Sequence, residues 1–111
     1  MDGIYRICKF AMECIVHGDY ALLEDCNALT RVSEEDIRRV LKEYASDESP
    51  VMPPDAAFEE TAYIVAYRDG SGYHIDINFW YPSGESDLTL QLDVRKRQGQ
   101  LSFIVDDIHV L

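Results

Sequence analysis

Residues 61–111 form a nearly unbroken alternation of apolar and polar side chains, and this constrains the fold more than any other feature of the chain. Its centre reads Tyr73-His-Ile-Asp-Ile-Asn-Phe-Trp-Tyr81, then a short turn, then Asp87-Leu-Thr-Leu-Gln-Leu-Asp-Val94. A strand sends successive side chains to opposite faces, so the pattern specifies a sheet with one oily face and one polar, acidic face. Strands are expected at about 61–68, 73–81, 87–96 and 101–110. The connections 69–72, 82–85 and 98–99 are short and rich in residues that tolerate positive φ, which makes neighbours antiparallel and the whole a meander. Tyr73, Ile75, Ile77 and Phe79, with Leu88, Leu90, Leu92 and Val94 and with Leu101, Phe103 and Val105, fall on the oily face. His74, Asp76, Asn78 and Trp80, with Thr89, Gln91, Asp93 and Arg95 and with Ser102, Ile104 and Asp106, fall on the other. The alternation slips at Asp106-Asp107-Ile108, where a bulge is expected.

The oily face needs a cover, and the first 45 residues supply one. Ile4, Ile7, Cys8, Ala11 and Ile15 recur at helical spacing, with Gly18 as the stop. Asp19 is placed to start a short second helix through Leu22, Leu23 and Cys26. Ser33 before Glu34-Glu35-Asp36 is an N-cap hydroxyl followed by three acids where the helix dipole favours them. The helix it opens should run to about Ala45, with Ile37, Val40, Leu41 and Tyr44 on one stripe. Residues 46–60 hold Pro50, Pro53 and Pro54, which forbid a continuous helix. They also hold Asp47, Glu48, Asp55, Glu59 and Glu60, so the segment reads as an acidic connector with room for one turn of helix at 55–59. Helices first and strands after argue for an α+β fold: N-terminal helices packed on one face of a four-stranded antiparallel meander sheet, in one domain over 1–111.

Charge and composition narrow the function classes. The chain has 21 acidic and 10 basic residues, a net charge of −11. Such a field disfavours nucleic acid and anionic membrane and favours a basic protein partner. Apolar runs are far shorter than the roughly 20 residues that span a bilayer. Asp2, Arg6, Lys9 and Glu13 interrupt any leader-like segment, which sets a cytoplasmic expectation. Cys8, Cys14 and Cys26 are odd in number, form no Cys-x-x-Cys pair and sit among apolar neighbours, as reduced thiols do.

No catalytic signature is present. His17, His74 and His109 lie in no nucleophile, phosphate-loop or zinc motif, and neither cofactor nor metal is expected. His74 and Asp76 share a face, with Asp93 across the ladder. These three donors could form an acid/base or metal cluster, a solvated surface or a protein contact. Trp80 is the residue hardest to explain as solvated surface. It is either a binding anchor beside Asn78, Gln91 and Asp93 or is covered by the proline connector. Asp106, Asp107 and His109 make a second acidic spot.

The order of elements resembles the cystatin-like and NTF2-like α+β group, in which a helix lies across a curved antiparallel sheet. Gly84-Glu-Ser-Asp-Leu-Thr-Leu-Gln-Leu92 followed by Asp106-Asp-Ile-His-Val-Leu111 resembles the C-terminal end of small bacterial proteins encoded beside contact-dependent growth-inhibition and other polymorphic toxins. That resemblance implies an immunity protein, not an enzyme, that binds one cognate toxin, often a nuclease with a basic cleft. The expected contact residues are Trp80, Asp76, Asn78, Asp93, Gln91 and His74. The connector acids Asp47, Glu48, Asp55, Glu59 and Glu60 form the alternative surface. Two rivals stand beside it: an NTF2-like ligand-binding or enzymatic domain with a pocket between helix and sheet, and a homo-oligomeric accessory protein.

Overall fold

The computed structural model describes residues 2–111. Helix α1 spans Asp2–His17, α2 Tyr20–Asp25, α3 Glu34–Tyr44 and α4 Asp55–Glu60. Strands β1 (Tyr63–Ala66), β2 (Gly72–Tyr81), β3 (Gly84–Arg97) and β4 (Gln100–Val110) follow. They pair in the order β1-β2-β3-β4, all antiparallel, so the expected α+β meander is the observed one.

The local signals explain the helices. The i, i+3/i+4 stripe of α1 buries Ile4, Cys8, Ala11, Met12 and Ile15. The helix ends at Gly18, whose φ of +73° is left-handed and strained for any residue with a Cβ. α2 starts at Tyr20 as expected, but the Asp19 side chain makes no capping bond. α3 has a full capping box: Ser33 Oγ accepts from the Asp36 N–H at 3.1 Å, and Asp36 accepts from the Ser33 N–H at 3.0 Å. The connector carries its single turn of helix as α4, which buries Ala57 and Phe58.

One apolar cluster joins both halves of the chain. Ile75, Ile77, Phe79 and Tyr81 from β2, Leu88, Leu90, Leu92 and Val94 from β3, and Phe103, Val105 and Ile108 from β4 meet the buried faces of α1, α2 and α3. Phe10 stands edge-on against Phe103, ring centroids 6.1 Å apart. The faces assigned from alternation are the observed ones. Tyr73 is only half-buried, and Leu101 remains 36% exposed at the rim.

Register is set by two irregularities. Gln91 pairs with Asp107 and Leu92 with Val105, so Asp106 is extruded from the β3–β4 ladder. This is the expected bulge, and it returns Ile108 to the core. Nearer the β2–β3 turn, Asn78 pairs with Thr89 and Trp80 with Glu85. One residue intervenes on β2 and three on β3, and Ser86 Oγ closes the gap by donating to the Phe79 carbonyl at 2.7 Å. The β3–β4 turn has both Gln98 (φ 51°) and Gly99 (φ 79°) left-handed, the signature of a type I′ hairpin. At Gly72 the β2 and β3 backbones come so close that an added Cβ would lie 1.8 Å from the Val94 carbonyl oxygen.

Candidate functional site

The outer face of the sheet is a plane of polar side chains bonded to one another, not a set of free groups. Directly opposed residues share a face, so the register builds it in rows. One row is Tyr63, Asp76, Gln91 and Asp107; the next is Val65, His74, Asp93 and Ile104; a third is Asn78, Thr89 and His109. Asp76 accepts from Gln91 Nε2 at 2.9 Å and contacts His74 Nε2 at 2.7 Å. Asn78 accepts from Thr89 Oγ1 at 2.9 Å through its carbonyl and donates to Glu85 at 3.1 Å through its amide nitrogen. Asp107 contacts His109 Nδ1 at 2.9 Å.

Five of the six expected contact residues, His74, Asp76, Asn78, Trp80 and Gln91, sit half-buried on this face. The sixth differs. Asp93 is 3% exposed, and its carboxylate is consumed internally. It accepts from Tyr67 Oη at 2.8 Å and pairs with Arg95 at 3.2 Å and Arg31 Nη2 at 3.4 Å. The Arg95 guanidinium also lies 5.2 Å from the Tyr67 ring centroid. Burial and the Asp93 hydrogen bond raise the Tyr67 phenol above its ordinary range. Arg31 comes from the α2–α3 loop and also grips the bulge residue Asp106. That bond, foremost, raises the Arg31 guanidinium further. Asp93 therefore cannot offer a free carboxylate to a partner, because three donors cover it: Arg95 two residues on, and Tyr67 and Arg31 from distant parts of the chain. Nothing local in the sequence marks Arg31 or Tyr67 for this role.

His74 and Asp93 are direct partners in the ladder, yet Asp93 turns to the arginines and the triad with Asp76 does not close. Among the described residues, no group of three or more His, Cys, Asp and Glu side chains is arranged to hold a metal ion. Thr89 is the other buried polar residue of the face.

Trp80 bears on both of its sequence readings. Its backbone carbonyl accepts the Val51 N–H at 2.8 Å, which pins the connector along the edge of β2 beyond β1. Its side chain is half-buried and stays on the outer face. The connector acids Asp47, Glu48, Asp55, Glu59 and Glu60 are all exposed. Asp55 pairs with Lys9 at 3.2 Å, so α4 is tied back to α1.

A ligand pocket between helices and sheet would need polar groups on the inner face. Tyr81 places a hydroxyl there that is buried and unpartnered among the described residues, beside the Tyr44 ring at 5.7 Å. Burial, then Tyr44 and Glu48, raise its phenol. A groove of about 520 Å³ lies elsewhere and is open to solvent, between the end of α1, α3 and residues 45–50. No helix is long and apolar enough to cross a membrane among the described residues.

A family model described as Domain of unknown function (DUF7668) matches residues 12–111. No curated protein and no solved structure matches the chain.

Proposed function

We infer, for a chain that belongs to the DUF7668 family, that it is a protein-binding inhibitor of the immunity type, which uses the outer face of its sheet to engage a basic, nucleic-acid-cleaving toxin domain. The observation that carries this reading is the polar face itself. Asp76 is held by His74 and Gln91, and Asn78 by Thr89 and Glu85, on an antiparallel sheet, with half-buried Trp80 at one end and Tyr63, 62% exposed, at the edge. Side chains already locked in place lose little rotamer entropy on binding, and an aromatic beside amides and carboxylates is the usual anchor chemistry. Asp76, Glu85 and Asp107 leave acceptor oxygens at this surface, where arginine or lysine side chains of a basic cleft would pair with them. The net charge of −11 speeds such an encounter. Asp93 supports the face from within and is not a contact.

The test is co-expression with the toxin encoded by the neighbouring gene. The chain should restore growth and co-purify with the toxin. A Trp80→Ala/Asp76→Arg variant that keeps its fold by circular dichroism should lose at least 10-fold in affinity, since each 1.4 kcal/mol is about a factor of 10. Full neutralisation by that variant would refute this surface, and a neighbouring gene that encodes a metabolic enzyme would refute the class.

A further inference from the structure

Strand β4 is an edge of the sheet, and its two halves are treated differently. The second half is protected. The Val105 N–H points away from β3 and donates to the Ala28 carbonyl at 2.8 Å. Asp106 is bulged out and gripped by Arg31, and Asp107 is exposed. Loops, bulges and charges are how proteins blunt a strand edge.

The first half has none of these. Gln100-Leu-Ser-Phe-Ile104 carries no charge, proline or bulge. In an antiparallel strand, backbone groups at i and i±2 point the same way. The outward N–H of Val105 therefore means that Leu101 and Phe103 also turn their N–H and C=O groups outward. Among the described residues, no backbone group beyond β3 pairs with them. Exposed apolar side chains flank this open edge: Leu101 at 36% and Phe10 of α1 at 38%.

We propose that residues Gln100–Ile104 of β4 pair antiparallel with the same residues of a second copy about a two-fold axis at Ser102, joining two four-stranded sheets into one of eight strands. Leu101 then exchanges two backbone hydrogen bonds with Phe103 of the second copy, and Phe103 does the same with its Leu101. This register uses all four free outward groups and stops where Ala28 occupies the edge. Charge supports the choice of occupant. All four bases of residues 61–111, Arg68, Arg95, Lys96 and Arg97, lie at the β3–β4 turn end of the sheet, Arg68 in the β1–β2 loop whose Ser71 hydroxyl accepts from Arg95 at 3.4 Å. The antiparallel run sets that basic end of each copy toward the other's Asp106–Asp107 end. At 0.15 M salt the Debye length is about 8 Å, so these neighbours act locally while the −11 charges of the two bodies are largely screened from each other.

Sedimentation equilibrium of the full chain at about 100 µM, above a micromolar Kd, should give twice the 12.7 kDa monomer mass. Leu101→Lys, which places a charge on the open edge, should sediment as a monomer. Leu101→Pro should do the same, because it deletes an outward donor without touching the β3 ladder. Ser102→Cys in a Cys26→Ser background should crosslink on mild oxidation, since the two-fold sets the Ser102 Cα atoms about 4.5 Å apart, within the range of about 4.4–6.8 Å that a disulfide spans. Ser83→Cys, at the opposite end of the sheet, should not. A wild-type monomer under these conditions overturns the proposal. So does a dimer that survives both Leu101 variants while they keep native circular dichroism, or crosslinking no faster at 102 than at 83.

Discussion

Replacing Asp93 by alanine separates a structural carboxylate from a contact carboxylate. If Asp93 were a partner-facing acid, its removal would leave stability within about 0.5 kcal/mol of wild type, as surface changes do. Its surroundings argue otherwise. It is 3% exposed and accepts from the half-buried Tyr67 hydroxyl at 2.8 Å. Loss of a hydrogen bond to a charged group costs about 1.5–3 kcal/mol. The two arginine pairs add less. Arg31 and Arg95 are 49% and 45% exposed and regain water when the carboxylate goes, so each contributes about 0–1 kcal/mol. Together these come to about 1.5–5 kcal/mol. For a domain of this length, at about 4 °C per kcal/mol, the Tm should fall by about 6–20 °C. Tyr67→Phe alone should cost about 1–2 kcal/mol, and the Tyr67→Phe/Asp93→Ala double variant should cost less than the two singles added, because they share one interaction. Urea unfolding of the four proteins measures the cycle. A Tm for Asp93→Ala within 2 °C of wild type, or strict additivity with Tyr67→Phe, would refute the reasoning.

Gly72→Ala should destabilise by more than about 3 kcal/mol, or fail to fold, because the new Cβ meets backbone, the Val94 carbonyl oxygen at 1.8 Å, and only separation of β2 from β3 relieves it; thermal melts of Gly70→Ala, which has open space but a left-handed φ of +75°, should show only the strain of that φ, about 1–2 kcal/mol. Alkaline pH should weaken the fold. Burial pushes the Cys8 and Cys14 thiols from 9.0 up to about 11. Their contribution is complete below pH 9 and is lost as pH rises through 11, where each buried thiol costs about 2–3 kcal/mol. Urea midpoints at pH 8, 9.5 and 10.5 should decline for the wild type and decline less for Cys8→Ala, and a flat profile would refute the burial argument.

Much of the architecture was legible in the residues because it is encoded locally. Period-two alternation assigned the inner and outer faces of β2 to β4, since a strand has only two sides. Ser33 and Asp36 announced the start of α3 because a capping box is a four-residue device. Two adjacent acids at Asp106-Asp107 announced the bulge, because no alternation accommodates them on one face. The short length of β1 is not legible: the pattern predicts a full strand over 61–68, but Thr61 closes α4 and Tyr67 turns into the hairpin loop.

Four of the polar residues named from the outer face need only the register to find partners: His74, Asp76 and Gln91 bond to one another and Asn78 bonds to Thr89 and Glu85, and alternation puts them all on the same side. Asp93 belongs to the same alternation and has a different fate. Its partner Arg31 lies 62 residues away in sequence and reaches it only because the α2–α3 loop runs along the edge of β4, where the Ala28 carbonyl accepts from Val105. The path of a loop over a sheet edge depends on how helices and sheet pack together, and no short stretch of sequence records it. The sequence by itself determined which face of the sheet is polar. Packing decided which carboxylates on that face remain available and which half of the β4 edge stays open, because both depend on pairings between residues that only the assembled layers bring together.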